Sequence, residues 1–252
     1  MSRSCEQRHV FQPENGAGPQ TLLNIMKLNK FAAFAALGFF ALTSFPTQAA
    51  VSGWTNWRGP HQNGVTDEKG LPDQIDPAKN LLWSYDIAGR GAPVIANGNV
   101  YAWGYRGKGP DLQEVLLCLN EADGKLKWEH AYNDYLSDTV YSRYTVGSPT
   151  VDPATGWVYL MTTNGGVKCF SPDGKMQWEY SLMERFGRLT FPNGRTGAPV
   201  IDGDLVIVRG VTSYWGKQGP ARDRFYAFNK STGAPIWAST PGVAPKDSSF
   251  ST

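Results

Sequence analysis

The sequence is poor in the side chains that most often carry out chemistry: its 252 residues include only three cysteines and three histidines. Beyond residue 49 the histidines are His61 and His130, and no thiol pair or histidine–carboxylate cluster has the spacing of a zinc or calcium site. A metal centre is therefore not expected, and a serine hydrolase would lack parts. Excess charge of one sign is missing too. The formal +2 comes from Arg3, Arg8, Lys27 and Lys30 set against Glu6 and Glu14, all within the first 49 residues, and the remainder balances. That body gives no electrostatic reason to expect nucleic acid as a partner. Sustained 3.6-residue apolar periodicity is absent after residue 49, which excludes a helical bundle.

One apolar run exists, from Phe31 to about Leu42, inside "MKLNKFAAFAALGFFALTSFPTQAA" at residues 26–50. Two lysines precede it and Thr47-Gln48-Ala49 follows, the pattern of a secretory signal peptide over 26–49 with cleavage near Ala49. The run is shorter than the ~20 residues a spanning helix needs. The expectation is an exported chain, periplasmic or extracellular, with no transmembrane anchor after cleavage. Residues 1–25 are polar and unpatterned and read as an upstream extension with Met26 as the start. A genuine 25-residue extension from Met1 is the alternative. Export to an oxidising compartment raises the prospect of a disulfide between Cys118 and Cys169. The repeat described next places them at the same position of successive units, too far apart to bridge, so two buried thiols are expected.

What is present in quantity is glycine (28), proline (17) and tryptophan (nine), a composition of short strands and tight turns. Three segments align: "LLCLNEADGKLKW" (Leu116–Trp128), "VKCFSPDGKMQW" (Val167–Trp178) and "FYAFNKSTGAPIW" (Phe225–Trp237). Interleaved with them, "GAPVI" at Gly91, "GSPTV" at Gly147 and "GAPVI" at Gly197 each lead through a turn into an alternating strand. The period is about 50 residues, with four strands A to D per unit. That is an all-β chain built of four-stranded antiparallel β-propeller blades. The spacing sets blades at about 88–128, 129–178 and 179–237, the start of a further one at 238–252, and a lone N-terminal D strand at Leu81–Ile87 after a linking segment 50–80. Trp83, Trp128, Trp178 and Trp237 recur at the D position, each expected to wedge against the neighbouring blade with its indole N–H bonded to backbone.

The C-strand, Asp/Thr-Gly turn, Trp and Gly-Ala/Ser-Pro pattern resembles the pyrroloquinoline-quinone-type (PQQ-like) β-propeller repeat, from Leu81 to the end. The segment "WTNWRGPHQNGV" (Trp54–Val65) resembles the N-terminal stretch of secreted PQQ-like propellers. The resemblance implies either a non-catalytic binding or scaffold propeller or a PQQ-dependent dehydrogenase oxidising an alcohol or sugar. PQQ enters as a cofactor by resemblance only. Quinoprotein dehydrogenases of this kind use an adjacent cysteine pair and acidic calcium ligands, whereas Cys118 and Cys169 are not adjacent and no matching ligand set is visible. A non-catalytic module is therefore the leading expectation, and the catalytic residues are unassigned. Family size implies a parent of ~350–450 residues. The segment "SSFST" at the end then reads as a severed fourth blade, and an isolated chain of this kind is expected to associate through open strand edges.

An antiparallel blade puts the D-to-A and B-to-C connections on one face, and these are the long ones here, so a protein or small anionic ligand is expected on that face. Arg90, Arg143 and Arg195 precede the three A strands and are candidates for binding an anion, or are solvated loop residues. Tyr105, Tyr141, Tyr214 and Trp215 stack on a flat ligand or pack the loops, and His61 is a loop hydrogen-bonder.

Overall fold

Asn-Gly, Asp-Gly and Thr-Gly turns fold the chain back on itself at short intervals, and β-branched and aromatic residues between them make every interval a strand. The structure, a computed structural model, describes residues 8–10, 51–134, 136, 143–186, 197–212 and 222–239. The chain divides into Met1–Phe11 with Ala50–Thr252, and a second unit, Gln12–Ala49, which holds the expected signal segment and lies outside the described residues.

Three four-stranded antiparallel sheets follow one another along the sequence. Blade 1 is β2 (Val94–Ala96), β3 (Asn99–Arg106), β4 (Gln113–Asn120) and β5 (Leu126–Asn133). Blade 2 is β6 (Thr150–Val151), β7 (Val158–Met161), β8 (Gly166–Phe170) and β9 (Met176–Ser181), and blade 3 is β10 (Val200–Asp202), β11 (Leu205–Thr212), β12 (Arg222–Asn229) and β13 (Pro235–Ser239). This is the A-B-C-D order of consecutive propeller blades, each D strand running a few residues past its tryptophan. The start of a further unit, expected over 238–252, lies outside the described residues from 240 onward.

The core lies between sheets. Alternation along β4 sends Leu116 and Cys118 to the blade 2 side, where they meet Val158, Leu160 and Phe170, while Val115, Leu117 and Leu119 face the opposite way. On that opposite side lies the segment at Leu81–Ile87, extended and outside any ladder until a single bridge joins Ala88 to Tyr105. Its Trp83, Tyr85 and Ile87 pack on blade 1, and Leu82, just before them, is 86% exposed. Blades 2 and 3 meet in the same way through Tyr159, Met161, Cys169, Val206 and Phe228.

One contact repeats at every interface. The indole N–H of Trp83 donates to the Glu121 carbonyl at 2.7 Å, Trp128 to Pro172 at 3.0 Å and Trp178 to Lys230 at 2.8 Å. In each case the acceptor lies in the C-to-D turn of the next unit. The turn glycine, Gly124, Gly174 or Gly233, has a positive φ of 68°, 87° or 71°, and a Cβ there would come within 2.6–2.7 Å of the tryptophan ring. Glycine is needed twice over, for the backbone conformation and for the ring lying on it.

The inner edge is closed by residues 51–56. Asn97 N–H donates to the Ser52 carbonyl (3.1 Å) and Ile95 N–H to Trp54 (2.9 Å) on blade 1, while Val51 N–H donates to Pro153 (3.1 Å) and Val151 N–H to Thr55 (2.8 Å) on blade 2. Small residues abut beside it: a Cβ on Gly91 would stand 2.2 Å from the Gly147 carbonyl oxygen, and the Ser148 hydroxyl accepts Ala92 N–H at 2.8 Å. At the outer edge, β1 (Arg8–Val10), in a stretch read from sequence as unpatterned, pairs antiparallel with β13.

Gly174→Ala should cost ~3 kcal/mol of stability, because left-handed strain and the Trp128 ring act together. Gly98→Ala, at φ 75° with no atom within 4 Å of its would-be Cβ, should cost ~1 kcal/mol. Equal costs in urea melts would show that ring contact contributes nothing.

Candidate functional site

The two faces of the blade stack are unequal, and the long B-to-C connection of blade 1 builds a cavity on the loop-rich one. After β3 the chain passes Gly107, makes a single 3-10 turn at Gly109–Asp111, and returns as β4. Tyr105 N–H donates to the Ala88 carbonyl at 2.7 Å, holding this connection against Tyr85–Ala88. Between them lies a cavity of about 570 Å³ with Leu112 and Leu117 among its apolar lining. Tyr85, Tyr105 and Tyr144 supply aromatic surface, Arg106 and Lys108 positive charge, and Asp86 one negative charge. The Tyr105 and Tyr144 rings lie 5.9 Å apart at 54°. Arg106 is oriented by Glu129 across the sheet.

Tyr144 is held through its neighbour. Thr145 N–H donates to Oε1 of Glu114 at 2.9 Å, and Glu114 is fully buried at the start of β4, in register with Tyr105 and Tyr132. The same carboxyl accepts Thr163 N–H at 3.0 Å on Oε2 and the Thr163 hydroxyl on Oε1, reaching into blade 2. Asp134, itself buried, hydrogen-bonds to Glu114 and accepts Asn164 N–H at 3.1 Å. Two carboxyl groups bond to each other only when one keeps its proton. Burial first, and Asp134 second, push the Glu114 carboxyl up to about 8.

Of the sequence candidates, Arg90 is exposed and Arg143 half-buried beside Tyr144, and neither lines the cavity. Arg195, Tyr141, Tyr214 and Trp215 lie outside the described residues. Tyr105 is in the wall. His61 Nε2 meets Asp67 at 2.9 Å in the segment after residue 56, and His130 Nε2 meets the Gly174 carbonyl at 2.7 Å, its ring 4.7 Å from Phe170, as an inter-blade strut. Sequence reasoning passed over Tyr85, Lys108, Glu114 and Asp134. The available signal was Glu114 itself, an acid heading the apolar run "EVLLCL" in a strand destined for the interior.

Cys118 and Cys169 are free buried thiols at equivalent positions, paired in register with Trp128 and Trp178. Desolvation pushes them up to about 11 and about 12. Among the described residues no three His, Cys, Asp or Glu side chains gather as a metal site, and no helix is long and apolar enough to cross a membrane.

Residues 74–218, more than half of the chain, match the family described as outer membrane protein assembly factor BamB, a PQQ-like repeat family. The chain belongs to this family. No curated protein matches the chain significantly. Among solved structures, a europium-containing methanol dehydrogenase shares 18% identity at a TM-score of 0.49, with 74% of this chain and 31% of that one covered. The quinohemoprotein alcohol dehydrogenase ADHIIG from Pseudomonas putida HK5 shares 18% at 0.43, covering 62% and 21%. The chain thus spans about a third and a fifth of these two proteins' lengths.

Two outcomes follow for this PQQ-like repeat chain. Iodoacetamide at pH 8 should leave Cys118 and Cys169 unmodified in the native protein and label both after denaturation; native labelling mapped to either by mass spectrometry would contradict their burial. Between the ordinary carboxyl value of 4.5 and about 8, the native chain holds a Glu114 proton that the unfolded chain has released. Stability should therefore fall as pH rises through that window and level off above it. Glu114→Gln, neutral throughout, should flatten the fall in urea melts taken from pH 5 to 9, and an unchanged slope would place its origin elsewhere.

Proposed function

We propose that this chain is an exported, non-catalytic binding module whose long-loop face holds a small flat anion, free or presented by a protein. The observation that carries this reading is the cavity on that face. Its three tyrosine rings suit a planar apolar body, and Arg106 and Lys108 suit a negative charge on its rim. Tyr105 stands on β3 and Tyr144 is held beside it through Thr145 and Glu114, so little ordering of these two rings has to accompany binding. Arg90 and Arg143, outside the cavity lining, would act on a larger partner through charge.

The alternative within the family resemblance is a PQQ-dependent dehydrogenase. The adjacent cysteine pair that such an enzyme implies is not formed by Cys118 and Cys169, which sit in separate blades as free thiols.

With 2-naphthoate as probe, two-dimensional amide NMR should show saturable shifts at Tyr85, Gly107, Gly109 and Tyr144. Lys108→Glu should weaken binding by about tenfold, and the neutral 2-naphthylmethanol should bind less well than the acid. Shifts scattered over the surface, or insensitivity to Lys108→Glu, would sink the reading. Turnover of alcohols or sugars by the chain supplied with PQQ and Ca²⁺, followed by dye reduction, would replace it with the enzyme.

A further inference from the structure

We propose that a second, polar cavity on the tight-turn face, between blades 2 and 3, binds a neutral amide group, its carbonyl on Lys230 and Asn56 and its N–H on the Thr55 hydroxyl. This site is separate from the tyrosine cavity, and nothing in it depends on the reading given to that cavity.

The cavity, of about 290 Å³, lies where three parts of the chain meet: the entry segment at Thr55 and Asn56, the A-to-B turn of blade 2 that starts at Asp152, and the turns of blade 3 at Gly203 and Lys230. A salt bridge between the two blades lines it. Lys230 Nζ stands 3.0 Å from Oδ2 of Asp152, with the lysine side chain 12% and the aspartate side chain 2% exposed. Such a pair gives up its hydration and is not in itself a gain in stability.

The repeat does not require this pair. Lys230 occupies the position whose carbonyl receives a tryptophan N–H, and its counterparts are Glu121 facing Trp83 and Pro172 facing Trp128. Asp152 ends the run Gly-Ser-Pro-Thr-Val-Asp where blade 1 has Gly-Ala-Pro-Val-Ile-Ala, so blades 1 and 2 present Ala96 and Pro172 at these two places and dock without the charges. Here both residues are fixed by backbone. Lys230 N–H donates to the Asp204 carbonyl at 2.9 Å, and its own carbonyl accepts the Trp178 indole N–H at 2.8 Å and the Tyr159 hydroxyl at 3.0 Å. Asp152 N–H donates to the Trp157 carbonyl at 2.9 Å.

The bonds left over define the ligand. Oδ1 of Asp152 accepts Ala154 N–H at 3.1 Å, and Oδ2 accepts the Thr155 hydroxyl at 2.9 Å as well as Lys230, so the carboxylate has little to offer a cation. It also balances the lysine, so an anion would bring uncompensated negative charge into a half-enclosed site. The Lys230 ammonium has three N–H donors and, among the described residues, Asp152 as its one partner. Buried Asn56 gives its Oδ1 to Arg58 N–H at 3.1 Å and one Nδ2 donor to the Thr150 hydroxyl at 3.4 Å, which leaves a second donor. Buried Thr55 has a hydroxyl with no partner among the described residues. Pro60, Pro153 and Ile201 add an apolar wall. A carbonyl with two lone pairs beside an N–H and a small apolar end meets all of these at once, which is the chemistry of a peptide amide or an N-acetyl group. A plain polyol lacks the apolar end, and an ester lacks the N–H.

The full chain is titrated with probes and followed by two-dimensional amide NMR. N-acetylalanine methylamide stands for a peptide and methyl N-acetylglucosaminide for an acetylated sugar, while methyl glucoside lacks the amide and acetate carries a charge. At least one amide probe should give saturable shifts at Thr55, Ala154, Gly203 and Lys230, and which of them does so tells the source. Methyl glucoside and acetate should bind more weakly than that probe. Thr55→Val, which keeps the shape and removes the hydroxyl, should weaken binding about fivefold and Thr55→Ser should restore it, whereas Lys230→Met should cost about tenfold. Thr55→Val leaves the ion pair intact and decides the matter if Lys230→Met does not fold. Absence of saturable shifts with both amide probes, or binding that Thr55→Val leaves unchanged, overturns the site and leaves Lys230 and Asp152 as a strut between blades. Acetate or methyl glucoside bound as tightly as the amides overturns the amide chemistry.

Discussion

Everything in this structure depends on a tryptophan of one unit lying across the turn glycine of the next. The contact joins three requirements at one point: a ring large enough to span the gap between sheets, an indole N–H that finds the carbonyl of the facing turn, and a glycine whose missing Cβ lets the ring come down. A four-stranded sheet cannot bury both of its faces alone, and here each blade buries one face against each neighbour. Because donor and acceptor lie on consecutive units, the contact also sets the direction in which units are added. The His130 strut, from the same strand as Trp128 to the same turn glycine, reinforces it at one interface.

A second constraint acts at the inner edge. There the A strands run side by side, and residues 51–56 supply backbone partners to blades 1 and 2 that the sheets do not provide for themselves. A Cβ on Gly53 would stand 2.4 Å from the Ile95 carbonyl oxygen, which explains a glycine before Trp54. Thr150 carries the link onward, accepting from Asn56 at 3.4 Å and donating to the Pro199 carbonyl of blade 3 at 2.7 Å. With the interfaces held by tryptophans and the inner edge by this segment, the cavity is built by other residues, chiefly the B-to-C connection of blade 1 and Tyr85–Ala88.

The repeat was legible because each of its parts answers a local physical demand. A turn with positive φ asks for glycine, a gap between sheets asks for tryptophan, and a crowded strand start asks for Gly-Ala-Pro or Gly-Ser-Pro; such demands write themselves into the sequence at fixed spacing. Of segment 51–56 only Trp54–Asn56 fell within the resemblance read over Trp54–Val65, since its work is done by backbone groups that carry no residue signature. The cavity was least legible. Arg90, Arg143 and Arg195 drew attention because they recur, yet the lining includes Tyr85 of the entry segment, Arg106 at the end of β3, Lys108 after it and Tyr144 before blade 2, which follow no period. A site assembled once on a repeating scaffold leaves no repeat to read.

Glu114 shows why such a site can hold a group that the scaffold would otherwise reject. A carboxyl buried at the head of an apolar strand loses its hydration, and it is tolerated because two backbone N–H groups, a threonine hydroxyl and a second carboxyl replace the lost water. Those partners come from the D-to-A connection and from the neighbouring blade, so they are in position only when the blades are docked. The tryptophan contacts therefore do more than join blades, since they bring Thr163 to Glu114. The carboxyl in turn fixes the backbone beside Tyr144, one wall of the cavity. The Tyr144 wall of the cavity is in this way tied to the packing between sheets through a single buried acid.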